Sequence, residues 1–187
     1  LSEQRLERFN LDLVFVFAVT QVSHLLLEDV TWRGAGRALL VLLVVWWAWN
    51  YTTWVTNQLD PDAVPVRLLV LAIMLASLVM AIAIPHAFGS RALLFVGAYV
   101  AIQVGRHLFL TFVVADPDAP EREPALHILL WFLASGTFWI AGALVEGPAR
   151  IALWLVALAI DYVAPLVLYR VPGRTRLDPS AWEVETS

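Results

Sequence analysis

Long apolar runs separated by short charged stretches leave this chain one solvent in which to bury its surface. Arg5, Arg8, Arg33, Arg37, Asp60, Asp62, Asp116, Asp118, Glu121, Arg122 and Glu123 fall in the separating stretches. Between them lie six runs, over about 11–27, 38–55, 68–84, 92–115, 126–145 and 149–169. At about 1.5 Å of rise per residue, a helix over most of these runs crosses a hydrocarbon core of about 30 Å. A water-soluble domain cannot hide so much apolar surface. Of all residues 60% are hydrophobic and 15% charged, against about 25% charged in ordinary globular chains. The expected fold class is all-α: a polytopic transmembrane helical bundle of about six spans, in one domain over 1–171, with a polar C-terminal tail over 172–187.

The separators carry the usual helix breakers. Leu59-Asp-Pro-Asp-Ala-Val-Pro65 is read as a turn whose prolines stop helices, and Pro85-His86-Ala87-Phe88-Gly89 and Glu146-Gly-Pro148 end the third and fifth runs. Six spans place both chain ends on one side of the membrane. That side holds Arg5, Arg8, Arg67, Arg122, Arg170, Arg174 and Arg176, and the other Arg33, Arg37, Arg91 and Arg150. Seven against four favours cytoplasmic termini. Arg37-Ala-Leu-Leu40, Arg91-Ala-Leu-Leu94 and Arg150-Ile-Ala-Leu153 open the even-numbered spans, so each hairpin repeats the one before, unless arginine followed by aliphatics is simply how a span starts.

Several chemistries are absent from the sequence. There is no cysteine, hence no disulfide, thiolate ligand or thiol nucleophile. No HExxH, GxSxG, GxxxxGK[ST] or GxGxxG pattern occurs, and the histidines at 24, 86, 107 and 127 are too scattered for a metal site by spacing. With a net charge of −4 and no basic block, nucleic acid is not an expected partner. Neither cofactor nor metal is expected, and no enzyme is required.

Function is sought at polar groups buried at depth, because each costs several kcal/mol unless it is paired or wetted. Counted from the Arg37, Arg91 and Arg150 side, Asn50, Gln103, Arg106 and Asp161 fall at similar depth and define one layer. In the fourth run Tyr99, Gln103, Arg106, His107 and Leu110 recur at three- and four-residue steps and share a face. Arg106 cannot lose its proton and must find an anion. Asp161 is the natural partner by depth, with Asp12 or Tyr162 as further candidates. Such a pair either serves a transported solute or merely orients helices four and six.

The first run carries Asp12, Gln21 and His24, whose carboxylate and imidazole mark the two ends of a proton or cation route. Alternatively, Asp12 is an N-cap near the interface. The second packs Trp46-Trp47-Ala-Trp49-Asn50-Tyr51-Thr-Thr-Trp54. Trp46 and Trp54, flanking Asn50, either cage an organic cation or anchor the helix at the headgroups. In the fifth run His127, Trp131, Ser135 and Trp139 form a stripe that reads as packing.

The stretch Asp12-Leu-Val-Phe-Val-Phe-Ala-Val-Thr-Gln21, with Trp46-Trp47-Ala-Trp49, Ala81-Ile-Ala-Ile-Pro85, Tyr99-Val-Ala-Ile-Gln-Val-Gly-Arg106 and Trp182-Glu-Val-Glu-Thr-Ser187, resembles the bacterial low temperature requirement A (LtrA) family along essentially the whole chain. Where that family usually has Glu-Leu-Phe-Phe before the aspartate, Arg8-Phe9-Asn10-Leu11 stands here. Its members are roughly twice as long, so the resemblance implies the N-terminal half of a duplicated bundle, a parallel repeat, in the bacterial cytoplasmic (inner) membrane. A similarity in plan to six-helix-repeat potassium channels makes a cation path the favoured analogy, at the level of fold only. The leading expectation is half of a transporter or channel-like bundle whose polar layer passes a small cation or solute. The alternatives are a non-transporting scaffold and a membrane-embedded enzyme or cofactor binder. The lipid bilayer is the expected partner, with a homodimer or a missing second half completing the bundle.

Overall fold

Proline, glycine and one threonine set the helix ends in the structure, a computed structural model that describes residues 3–56, 59–60, 63–114 and 122–168. Within these, the side chains of 3–12, 122, 124 and 164–168 lie outside the description. The elements run α1 (Glu3–Glu28), α2 (Trp32–Thr56), α3 (Val64–Ala83), a 3-10 turn (Ile84–His86), α4 (Ala92–Phe109) extended by a π-helical turn (Leu110–Val114), α5 (Arg122–Leu144) and α6 (Pro148–Leu168). The expected tail at 172–187 lies outside the described residues.

Four helices begin at least four residues before their apolar runs, at residues 3, 32, 64 and 122, and at the second and third of these the reason is local. Thr31 accepts the Gly34 N–H through its hydroxyl oxygen at 3.1 Å and donates to Asp29 Oδ1 at 2.6 Å, an N-cap that starts α2 at Trp32. Gly34 is required there, because a Cβ would run into the Asp29 carbonyl. Pro65, expected to stop a helix, instead lies in the first turn of α3, where a missing N–H costs nothing. Gly147, at φ 66°, supplies the left-handed residue after α5, and Pro148 opens α6.

Six helices form, but four of them are long and apolar enough to cross a membrane among the described residues: Trp32–Thr56, Val64–His86, Ala92–Val114 and Ala125–Leu144. This corrects the expected count of about six spans. Over the part of the first helix whose side chains are described, Leu13–Glu28 is a shorter apolar segment. By length and composition the chain is a multi-pass membrane protein.

The helices pack as successive hairpins. α1 lies against α2 and α3, α3 against α4, α4 against α5 and α2, and α5 against α6. The arginines of the repeated openings tie these hairpins together at one end. Arg91 donates to the Ile82 carbonyl at the end of α3 (3.0 Å). Buried Arg150 donates to the carbonyls of Gly142 (3.3 Å), Ala143 (3.4 Å) and Val145 (2.9 Å) at the end of α5, and to that of Phe88. The Arg37 guanidinium lies 5.2 Å from the centre of the Phe88 ring. Cations at helix C-termini satisfy carbonyls that the helix itself cannot.

Close contact between α5 and α6 depends on Gly142, where a Cβ would overlap the buried Trp154 indole; at Gly136 the nearest atom to a Cβ is Val100 Cγ1 at 3.4 Å, an ordinary contact. Gly142→Ala is therefore expected to destabilise the protein by about 1–3 kcal/mol, the usual range for overpacking. Gly136→Ala is expected to be near neutral. Thermal unfolding of both variants in detergent checks the difference.

Candidate functional site

The polar side chains of α4 meet those of α2, α5 and α6 inside the bundle. Tyr99, Gln103, Arg106 and His107 are all buried on α4, as are Thr52 on α2, Ser135 and Trp139 on α5 and Asp161 on α6. Their hydrogen bonds form one continuous chain. Arg106 Nη1 donates to Thr52 Oγ1 at 2.9 Å, and its Nη2 donates to Gln103 Oε1. Gln103 Nε2 donates to the Tyr99 hydroxyl at 3.2 Å. That hydroxyl donates to Asp161 Oδ2 at 2.8 Å, and Trp139 Nε1 donates to the same oxygen at 2.9 Å.

A permanent cation and a carboxylate are thus linked through an amide and a phenol. Depth alone suggested a direct ion pair, but in the structure the Tyr99 and Gln103 side chains bridge the two residues. The spacing explains this. Tyr99, Gln103 and Arg106 are successive steps along one face of α4, so each side chain reaches the next. The ring of Tyr51 lies 5.2 Å from the Arg106 guanidinium carbon and adds a cation–π contact.

The carboxylate is satisfied unevenly. Ser135 stands beside it, with its hydroxyl also within reach of the Ala157 carbonyl at 3.3 Å. Asp161 Oδ1 is buried without a hydrogen-bond partner among the described residues. His107 is anchored differently: its Nδ1 lies 2.8 Å from the Gln103 carbonyl, which can only accept, so Nδ1 carries the hydrogen. Its ring packs 4.6 Å from Phe132.

Other expected members of the layer are placed elsewhere. Asn50 is exposed on the outside of α2, not in the polar layer, because it lies on the face shared by Trp46 and Trp54, which are 55% and 49% exposed. The tryptophan cluster is therefore no single cage: Trp47 turns inward and stacks on Tyr162 at 4.1 Å, while Trp46 and Trp54 turn out. Gln21 is half-buried and His24 exposed on α1. Asp12 lies on the α1 backbone, but its side chain is outside the described residues. Tyr162 donates to the Leu43 carbonyl at 3.0 Å, tying α6 to α2. Among the described residues no three His, Asp or Glu side chains are grouped to hold a metal.

Sequence reasoning missed Thr52 and Trp139 as members of the chain. Trp139 belonged to a stripe read as packing, and the available signal was chemical: a deeply buried indole N–H needs an acceptor. Thr52 is also bonded to its own helix, donating to the Ala48 carbonyl at 2.7 Å, which frees its oxygen lone pairs for Arg106.

The model of the bacterial low temperature requirement A protein family matches residues 6–185. The chain belongs to the LtrA family. It is 44% identical over 161 residues to a Rhizobium meliloti (strain 1021) protein named uncharacterized protein RA0937, an alignment covering 86% of this chain and 39% of that protein. The chain thus spans about two-fifths of the length of this curated relative. No solved structure matches. In this LtrA chain Tyr99, Gln103 and Arg106 of the Tyr99–Arg106 motif join Asp161, Thr52 and Trp139 in the buried chain.

A double-mutant cycle tests that coupling. Tyr99→Phe and Asp161→Asn are expected to be non-additive in unfolding free energy by about 0.5–2 kcal/mol, as for directly bonded neighbours. Asp161→Asn combined with His24→Ala, on the exposed face of α1, is expected to be additive.

Proposed function

We propose that this LtrA chain is half of a membrane transport unit that passes a small cation, with Asp161 as the intramembrane acceptor. The observation that supports this reading is the uneven carboxylate. One oxygen takes two hydrogen bonds and the other takes none among the described residues. An anionic oxygen buried that way is costly, and a proton or a small cation relieves the cost. Tyr99 and Gln103 carry the effect of that exchange to Arg106, whose fixed positive charge opposes simultaneous occupation by a second cation. Asp12, on the first helix, is the proposed entry carboxylate. The unit would lie in the bacterial cytoplasmic membrane with its termini in the cytoplasm, the side favoured by the arginine distribution. Catalysis plays no part in this reading.

A second reading has its own support. The described cavities are lined by residues other than Arg106, Gln103, Tyr99 and Asp161. A chain packed that closely also suits a scaffold whose polar layer only locks α2, α4, α5 and α6 together.

Reconstitution separates the two. In proteoliposomes carrying proton, sodium and potassium gradients in turn, the wild-type chain is expected to dissipate at least one of them. Asp161→Asn is expected to reduce that flux to the liposome background while the helical content, read by circular dichroism, stays unchanged. Asp12→Asn is expected to do the same. If both variants conduct like the wild type, the transport reading fails; if they change only the melting temperature, the lock reading replaces it.

A further inference from the structure

The outer surface of the bundle is of two kinds. Along α3 the exposed residues include Leu68, Leu71, Leu75, Leu78 and Ile82, all aliphatic, as lipid requires. The α1–α2 side differs. Between these helices runs a groove of about 490 Å³, whose walls include Val19, Thr20 and Ser23 from α1 and Leu42 and Trp46 from α2. Asn50 lies on the same side of α2, one helical turn beyond Trp46, and its side chain is exposed.

The carboxamide is the informative group. Asn50 lies about 9 Å from the end of a helix about 37 Å long, which puts it inside a hydrocarbon core of about 30 Å. Thr20 and Ser23 solve the problem of a polar group in lipid within their own helix, donating to the carbonyls of Val16 (3.0 Å) and Val19 (3.2 Å). Asn50 makes no such bond among the described residues. Two amide donors and a carbonyl facing lipid each cost free energy that a neighbouring helix would recover. The first helix needs cover as well. It stands at the edge of the bundle, in contact with α2 and α3, and leaves Leu13, Val16, Val19 and Leu27 exposed.

We propose that the α1–α2 face is a docking surface for a second copy of this chain, related by a two-fold axis along the membrane normal that sets the two Asn50 carboxamides against each other. An amide is both donor and acceptor, so two of them facing each other at equal depth satisfy one another. The face is also self-complementary in shape. It carries a projecting indole, Trp46, beside a groove, the arrangement an isologous interface needs to seat each knob in its partner.

The lack of cysteine makes the test direct. Single variants Val19→Cys and Leu42→Cys in the groove, and Leu75→Cys on the aliphatic α3 face, are treated with a bis-maleimide in liposomes. Dimers are expected from the first two and not from the third. Förster transfer between labelled chains on lipid dilution then measures association, with Asn50 intact and as Asn50→Leu. The leucine variant is expected to associate about threefold to thirtyfold more weakly, the range for interhelical hydrogen bonds in lipid, and Asn50→Gln to restore most of the loss. A chain that stays monomeric at every dilution overturns the proposal, whether or not a lipid co-purifies in the groove. So does cross-linking at Leu75 equal to that at Val19, or association unchanged by Asn50→Leu. These readouts report association alone, so a dimer without flux leaves this inference standing while the transport reading fails.

Discussion

Arg106 is the constraint around which the inner bundle is arranged. A guanidinium keeps its proton under any conditions a protein meets, so burying it fully among membrane helices obliges several neighbours to face it. Thr52 comes from α2, Gln103 from its own helix, and Tyr51 offers a ring. Through Gln103 and Tyr99 the obligation passes on to Asp161 and hence to α6 and, by Trp139, to α5. Four helices are thereby held in one rotational setting. Apolar packing alone would not specify this, because lipid tails are as apolar as leucine and give helices little reason to prefer one face over another.

A second set of arginines does comparable work at one end of the bundle. Arg91 and Arg150 reach back to the closing carbonyls of α3 and α5, and Arg150 and Arg37 converge on Phe88, one through its carbonyl and the other over its ring. The recurrence of arginine at the openings of the even-numbered helices thus has a mechanical meaning. In each of the last two hairpins the cation that begins one helix ends the previous one. Mid-depth polar bonds and end-on arginine bonds act at different levels along the helix axes, which resists tilting as well as sliding.

How much of this was legible in the sequence follows from which forces are local. Apolar runs and breakers are local, so the six helices and the all-α class could be read directly, with misplacements where a cap overrode hydropathy, at Thr31 and Pro65. The α4 face was legible because Tyr99, Gln103 and Arg106 lie on one helix at fixed angular steps. Depth pointed to Asp161 as the partner of Arg106, but it could not say that Tyr99 and Gln103 stand between them, since that depends on how α6 is rotated. Asn50 shows the limit of depth as a guide. It has the right height for the layer but faces outward, and height along a helix says nothing of azimuth. Trp139 and Thr52 were hidden because nothing in their own sequence neighbourhood names a partner on another helix.

Inside and outside follow one rule with opposite outcomes. Inside, every step of the Arg106–Asp161 chain uses a donor to meet an acceptor, and the oxygen left over among the described residues is Asp161 Oδ1, where the proposed transport reading puts its cation. Outside, Thr20 and Ser23 are closed on their own backbone, and a group left over among the described residues is the Asn50 carboxamide. A membrane interior offers no water to settle such accounts, so an unsatisfied group there marks a place where something else belongs. The size of the leftover group sets what that something is. A lone buried carboxylate oxygen is met by something as small as a proton or a bare cation, whereas an exposed carboxamide beside an open groove and a projecting indole calls for a helix surface bearing the same donor and acceptor.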